Sequence, residues 1–243
     1  MSLRDIFHAL LSLTASASFA SGFIGRNPIL HPRDRSKLEG ILEKSKDTGQ
    51  IGCAVLSCTQ LTLGLAESLL IITNHLNPTS PFTHTINSIF LFNNSNPTRL
   101  HLSPPRILGA LMLILGGQIR LSSSNTLGKF FTYQVGIQQN HKLITTGPYA
   151  IVRHPSYTAM MITHPGCLLW NLYRGSYVRE SGLLSTPLGF AMTVMVSMAL
   201  VISTYMIIVT RTRQEDKVMQ TAFGDEWEEW AKRVPYLLVP GVY

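Results

Sequence analysis

Apolar and polar residues run along this chain in long blocks rather than in short periods. Five blocks are rich enough in Leu, Ile, Val, Met, Phe and Ala to read as helices in a bilayer core, which about 20 residues cross. The first runs from about Leu3 to Ile24, the second from Gly52 to Thr73, and the third from near Arg106 to about Leu121. The fourth, about Tyr157 to Tyr173, is short and interrupted by His164, Pro165 and Gly166, which suits a kinked span or one arm of a helical hairpin. Leu183 to Thr210 is the fifth and clearest, despite Pro187 near its start. The expected fold is an all-α integral membrane protein of about five transmembrane helices. Residues 1–105 would form an N-terminal membrane region of about two spans, and residues 106–243 a second unit.

The first block has the Ala-Ser composition of a secretory signal, and a transit peptide is a further reading. A retained span is preferred because apolar character continues through Phe19, Phe23 and Ile24. Between the first two blocks, Arg26 to Gln50 reads as a solvated loop with a short surface helix. Glu67 lies inside the second block, and its expected role is a partly hydrated or snorkelling side chain near one end rather than a functional group. Asn74 to Pro105 breaks helical continuity several times; its His75, His84 and His101 lack a metal-ligand spacing. In the third block, Gly109, Ala110, Gly116 and Gly117 would permit close helix contact.

Composition agrees with a membrane setting. The chain of 243 residues is 45% hydrophobic and only 14% charged, against about 25% charged in soluble domains. Its mean hydropathy is +0.18, its formal charge +7 and its pI near 9.5. In an apolar chain such an excess marks cytosolic flanks more often than nucleic-acid contact. With five spans, 15 of the 20 Lys and Arg residues fall on the side holding the 26–50 loop, the 120–153 segment and the C-terminal tail. Cys53, Cys58 and Cys167 form no CxxC pair and suggest neither a disulfide framework nor a zinc site.

Two stretches on that side carry candidate chemistry. The first, Leu143 to Met161, packs Gly147-Pro148-Tyr149 and Arg153-His154-Pro155-Ser156-Tyr157 into the approach to an apolar block. Tyr and Arg at such a place suit a membrane-interface belt, but two prolines and a glycine are spent on backbone shape, which suits a pocket. The second is the tail from Arg211 to Tyr243, where Arg211 and Glu215 are four apart and share a helix face. They could be an exposed ion pair, or a cation for an anionic substrate beside a carboxylate for a cationic group on a cofactor.

The run His141-Lys142-Leu143-Ile144-Thr145-Thr146-Gly147-Pro148-Tyr149, followed by Arg153-His154-Pro155-Ser156-Tyr157, closely resembles the signature of the isoprenylcysteine carboxyl methyltransferases. In the tail, Arg211, Glu215, Phe223-Gly224, Trp227 and Arg233-Val234-Pro235 follow that family's closing pattern, so the resemblance covers about residues 106–240. It implies a multi-pass endoplasmic reticulum membrane protein whose site faces the cytosol. It also implies S-adenosylmethionine as co-substrate, no metal, and methylation of the C-terminal carboxylate of prenylated CaaX-type proteins after proteolysis. Membrane lipid would be a further partner and nucleic acid none. By the same resemblance the methyl donor would be held by Gln134, His141, Lys142, Leu143, Ile144, Tyr149, His154, Pro155, Ser156, Tyr157 and Glu215. These residues would form a cytosolic cofactor pocket from the 134–157 segment and the helical tail. Arg211 would be the substrate-binding and catalytic residue. The sequence departs from the pattern at Ala159, where glycine is usual, and at Gln214 and Asp216, where glutamates are usual.

Direct methyl transfer from a sulfonium to an already ionised carboxylate needs alignment and exclusion of water, and no Ser-His-Asp arrangement is evident. Other classes stay open. A phospholipid N-methyltransferase would act on an amine, beside which Arg211 is badly placed. A nicotinamide-dependent membrane sterol reductase would want more phosphate-binding arginines. A structural membrane protein would use both stretches as interface anchors.

Overall fold

The computed structural model describes residues 2–24, 48–93 and 95–242, apart from the Thr48 side chain. The expected loop and surface helix of residues 26–50 lie outside the described residues up to position 47. The described chain is helical, with no strand among the described residues: α1 Leu3–Phe23, α2 Thr48–Leu76, α3 Pro81–Phe90, α4 Pro104–Leu127, α5 Pro155–Leu172, α6 Tyr177–Glu180, α7 Pro187–Met206, α8 Thr212–Phe223 and α9 Asp225–Arg233. Four helices in the described chain are long and apolar enough to cross a membrane: α1, α2, α4 and the continuous helix that α7 opens. The fourth apolar block is α5, 18 residues long with Pro165 inside it. Too polar to meet the same criterion, it forms an antiparallel hairpin arm along α4.

The glycines of α4 let these helices meet backbone to backbone. A Cβ on Gly109 would stand 2.7 Å from the Trp170 nitrogen, and one on Gly116 2.9 Å from the Ala159 oxygen. Ala159, where the resemblance led one to expect glycine, is fully buried and fits because the residue facing it has no side chain. On another face of α4, a Cβ on Gly117 would stand 2.2 Å from the Ser18 oxygen, so α1 lies against α4 with no side chain between. Phe19, Phe23, Leu113, Trp170 and Leu200 fill the resulting core.

Glu67 corrects the sequence reading, for it is 2% exposed and fully paired. Arg106 of α4, expected as a flanking charge, is also buried and donates from Nη2 to Glu67 Oε1 at 2.5 Å. His8 Nε2 lies 3.0 Å from Glu67 Oε1, and Ser12 Oγ donates to Oε2 at 3.3 Å. The remaining Arg106 donors serve the carbonyls of Trp170, His101 and Gly175, and its guanidinium lies 4.2 Å from the Trp170 ring centre. This network pins α1, α2, α4 and the end of α5 in one register. Because α2 and α4 turn these two charges toward each other, neither has to reach water.

The last apolar block does not end where the tail was expected to start. From Pro187 to Phe223 the chain is one helix of 37 residues, roughly 55 Å at ~1.5 Å per residue, against a hydrocarbon core of about 30 Å. Its first part exposes Leu188, Phe190, Met195, Met198, Val201 and Tyr205, a surface suited to lipid. Its last part, α8, carries the charged residues. The two parts join through a π-helical turn, Ile207–Arg211, a widening that shifts the register of everything after it.

Candidate active site

Local sequence chemistry shapes the 143–161 stretch. Gly147 has φ +59, and a Cβ there would also meet Thr126 Oγ1 at 3.2 Å, so glycine opens the single 3₁₀ turn Gly147–Ala150. His154 has φ −124 and ψ 63, off the helical region as a residue before proline must be, and Pro155 is the first residue of α5. The tail then returns across this turn. Arg153 and His154 donate their backbone N–H groups to the carbonyls of Tyr236 and Leu237, both at 2.9 Å, and Thr158 Oγ1 donates to that of Leu238 at 2.6 Å. Gly224, with φ +51, turns α8 into α9 and brings Trp230 under Tyr149, where Trp230 Nε1 donates to the Tyr149 carbonyl at 3.2 Å.

At the centre, residues of the 153–157 stretch meet residues of the tail 54 to 63 positions further along the chain. The Tyr157 hydroxyl donates to Glu215 Oε1, and Arg211 Nε donates to the same hydroxyl at 2.9 Å. Arg211 Nη2 donates to the Tyr133 carbonyl at 2.6 Å, and Arg211 Nε is 3.5 Å from Glu215 Oε1. His154 lies between two tail carboxylates, with Nε2 2.9 Å from Asp216 Oδ1 and Nδ1 3.4 Å from Glu215 Oε2. Asp216, a departure from the family pattern, takes a second contact from Arg153 Nη2 at 3.2 Å. The π turn that ends at Arg211 contributes here, since it sets the azimuth at which Arg211 itself, and Glu215 and Asp216 of α8, face α5.

Burial alone would raise the Glu215 carboxyl, but His154, Arg211 and Tyr157 hold it below the ordinary carboxylate range. Burial likewise would depress the His154 imidazole, yet its bonds to Asp216 and Glu215 raise it to about 9. At neutral pH His154 is therefore a cation donating from both nitrogens. Its contribution to stability is complete below the ordinary value of 6.5 and is lost as pH rises through about 9. The unfolding temperature should fall between pH 7 and pH 10, and a His154→Gln variant should flatten that fall. An identical fall in both proteins would remove His154 as the cause.

The other residues expected at the site are distributed around this centre. Leu143 and Ile144 pack on the cluster of Tyr149, Trp230 and Val234. The His141 ring stacks on Phe130 at 4.5 Å between centres and meets the edge of Phe223, and burial lowers its pKa. Lys142 is exposed. The Gln134 carbonyl accepts from Thr132 Oγ1 at 2.6 Å, next to the Tyr133 that Arg211 holds. Ser156 Oγ accepts from Arg120 Nη1 at 2.6 Å.

Arg120 was not singled out from the sequence, where it counted only as a charge at the edge of a loop. It is 3% exposed, pairs with no carboxylate among the described residues, and lies over the rings of Phe23, Phe131 and Tyr133. The signal that could have found it is an arginine that falls before the last apolar residue of the block, Leu121, rather than after it. The arrangement thus offers two carboxylates, three arginines and several aromatic faces at one end of the bundle. Arg120 Nε, Arg153 Nε and Trp227 Nε1 are buried there without hydrogen bonds, donors that match acceptors on a polar ligand.

Comparison with known proteins gives the same direction. Residues 105–178 match the family PEMT, phospholipid methyltransferase. Protein-S-isoprenylcysteine O-methyltransferase B of Arabidopsis thaliana is 31% identical over 129 residues, 52% of this chain and 55% of that protein. The protein-S-isoprenylcysteine O-methyltransferase of Homo sapiens is 31% identical over 134 residues, 53% of this chain and 39% of that protein. A Delta(14)-sterol reductase of Mus musculus is 27% identical over 173 residues, 67% of this chain and 36% of that protein. The chain spans about half the length, or less, of these relatives. The resemblance drawn from two motifs is thereby matched by sequence kinship over about half of the chain.

Proposed function

We propose that this chain, a relative of the isoprenylcysteine O-methyltransferases, transfers a methyl group from S-adenosylmethionine to the C-terminal carboxylate of a prenylated cysteine. The observation that carries this reading is the convergence of Arg211, at the end of the π turn, and Glu215 of α8 on Tyr157 of α5. A cation and a carboxylate side by side suit a reaction between an anionic acceptor and a cationic donor. Prenylated CaaX-type proteins after proteolysis would be the substrates, at the endoplasmic reticulum membrane with the site open to the cytosol.

In this reading the bound methyl donor supplies an electrophilic methyl group, and the chain supplies alignment. Glu215, with Tyr157 and His154 fixing its two oxygens, would take the donor's cationic group. Leu143, Ile144, Tyr149 and the His141–Phe130 stack would form the wall for its base, with Gln134, Lys142, Pro155 and Ser156 completing the surround. Arg211 would orient the acceptor carboxylate. Its geometry leaves the carboxylate nucleophilic, because the guanidinium charge is already shared with Glu215 and the Tyr133 carbonyl. No proton needs to move, so His154 serves as a clip between α5 and α8 rather than a base. Alignment of this kind can contribute roughly 7–11 kcal/mol toward the barrier. The apolar face of α7 leads along the bilayer to Arg211, a route fit for a prenyl chain.

A second reading draws on the family matched by residues 105–178, described by its phospholipid substrates. An amine acceptor would place a cationic headgroup beside Arg211, which disfavours it electrostatically. Membranes holding the protein, given labelled S-adenosylmethionine and N-acetyl-S-farnesylcysteine, separate the two. Label on farnesylcysteine is expected; label on phosphatidylethanolamine alone would replace the first reading by the second.

A further inference from the structure

Phe23, the last residue of α1, is 1% exposed and lies outside residues 105–178. Two separate lines of contact run from it into the site. Its ring centre is 4.4 Å from Arg120 Cζ, the shortest of the three ring contacts this guanidinium makes, and Arg120 Nη1 reaches Ser156 Oγ at 2.6 Å. Its main-chain carbonyl accepts from the Tyr133 hydroxyl at 2.8 Å, and the Tyr133 carbonyl in turn accepts from Arg211 Nη2 at 2.6 Å. One residue of the first helix is thus a single step from each half of the site.

We infer that α1 is part of the site, with Phe23 as a positioning residue: its ring face holds Arg120 against Ser156, and its carbonyl holds Tyr133 against Arg211. The inference rests on the methyl-transfer reading for what the site binds. A buried guanidinium without a carboxylate partner is costly, and the negative face of an aromatic ring is among the few groups that offset the cost without competing for an incoming anion. Phe23 is held in place for this. Its ring stacks on Phe19 at 4.5 Å with an interplanar angle of 14°. Its neighbour Gly22 lies so close to Gly117 that a Cβ would stand 2.6 Å from the Gly117 oxygen, which fixes the height of α1 against α4. The α1–α4 contact therefore sets where Arg120 stands, and Arg120 sets the hydroxyl of the first turn of α5.

The rival account is that Phe23 only fills space in the core. Fluorination distinguishes them, because it drains the ring's negative face while nearly keeping its shape. The full chain in lipid nanodiscs, with mono-, di- and trifluorinated phenylalanine at position 23, is titrated with S-adenosylhomocysteine, and unfolding temperature is recorded in parallel. Affinity should fall stepwise, about tenfold for the trifluorinated ring, with the unfolding temperature nearly constant. Tyr133→Phe, which removes only the hydroxyl donor, should raise KM for N-acetyl-S-farnesylcysteine severalfold and leave the affinity for S-adenosylhomocysteine in place. A flat fluorine series overturns the inference, as does a loss of affinity that tracks a falling unfolding temperature. Failure of the methyl-transfer reading looks different: the unaltered protein then leaves N-acetyl-S-farnesylcysteine unlabelled.

Discussion

Arg211→Ala is expected to lower kcat/KM for a prenylcysteine by about 100-fold, with the affinity for S-adenosylhomocysteine reduced far less. Arg211 is half-buried and donates to two oxygens, and losing a desolvated charge contact to an anion costs about 2–5 kcal/mol. Arg211→Lys should recover part of the loss, because an ammonium restores the charge but not the two-pronged geometry that spans Tyr157 and Tyr133. Glu215→Gln should do the reverse, weakening S-adenosylhomocysteine more than the prenylcysteine. The experiment is a KM and kcat determination for each variant beside calorimetric titration of the cofactor product. Equal loss of cofactor affinity in both variants would contradict the separate roles given to these two side chains.

The second large effect lies at the other end of the bundle. Glu67→Ala leaves Arg106 in a fully buried position with no counter-charge, and truncating one member of such a pair costs about 3–5 kcal/mol. For a chain of this size that corresponds to a fall of roughly 10 °C in unfolding temperature. Arg106→Ala should be worse, because it also strands the carbonyls of Trp170, His101 and Gly175. Replacing both charges with Leu and Met should recover a good part of the Glu67→Ala loss, since an apolar pair of similar volume needs no desolvation to be offset. Thermal unfolding of detergent-solubilised variants checks this. A double variant no better than Glu67→Ala would mean that the charge itself is not what makes the single change costly.

These two sites differ in how far the sequence revealed them. The candidate site was legible as a grouping because its residues sit in one dense run, 141–157, and at two positions just after an apolar block, where Arg211 and Glu215 share a helix face. Glycine and proline at 147, 148 and 155 marked the turns directly. The Glu67–Arg106 pair was not legible, because it depends on the azimuth at which α2 and α4 face each other across 39 positions of chain. Each residue alone looked like a charge at the edge of a span. Arg120 and Phe23 were hidden for the same reason, as their meeting is fixed by the contact of Gly22 with Gly117. The π turn at 207–211 left no pattern either, since Ile-Ile-Val-Thr reads equally as ordinary helix, yet it sets the azimuth at which α8 presents its charges.

Helix count shows a further limit of block reading. The fourth block is a helix, but it packs on α4 through Gly109 and Gly116, and His164 Nδ1 lies 2.7 Å from Thr204 Oγ1 of α7, so it faces protein more than lipid. Mean apolarity marks what can face lipid, whereas small residues and buried polar pairs mark what faces protein.

The claim that an ionised carboxylate is the acceptor is tested most directly by pairing two ligands that differ only there. The protein in lipid nanodiscs is given labelled S-adenosylmethionine with either N-acetyl-S-farnesylcysteine or its carboxamide, and the label released as methanol by base is counted. The account predicts base-labile label with the carboxylate and none with the carboxamide. Label of equal amount on both, or on neither while an amine lipid in the same nanodisc is methylated, would contradict it.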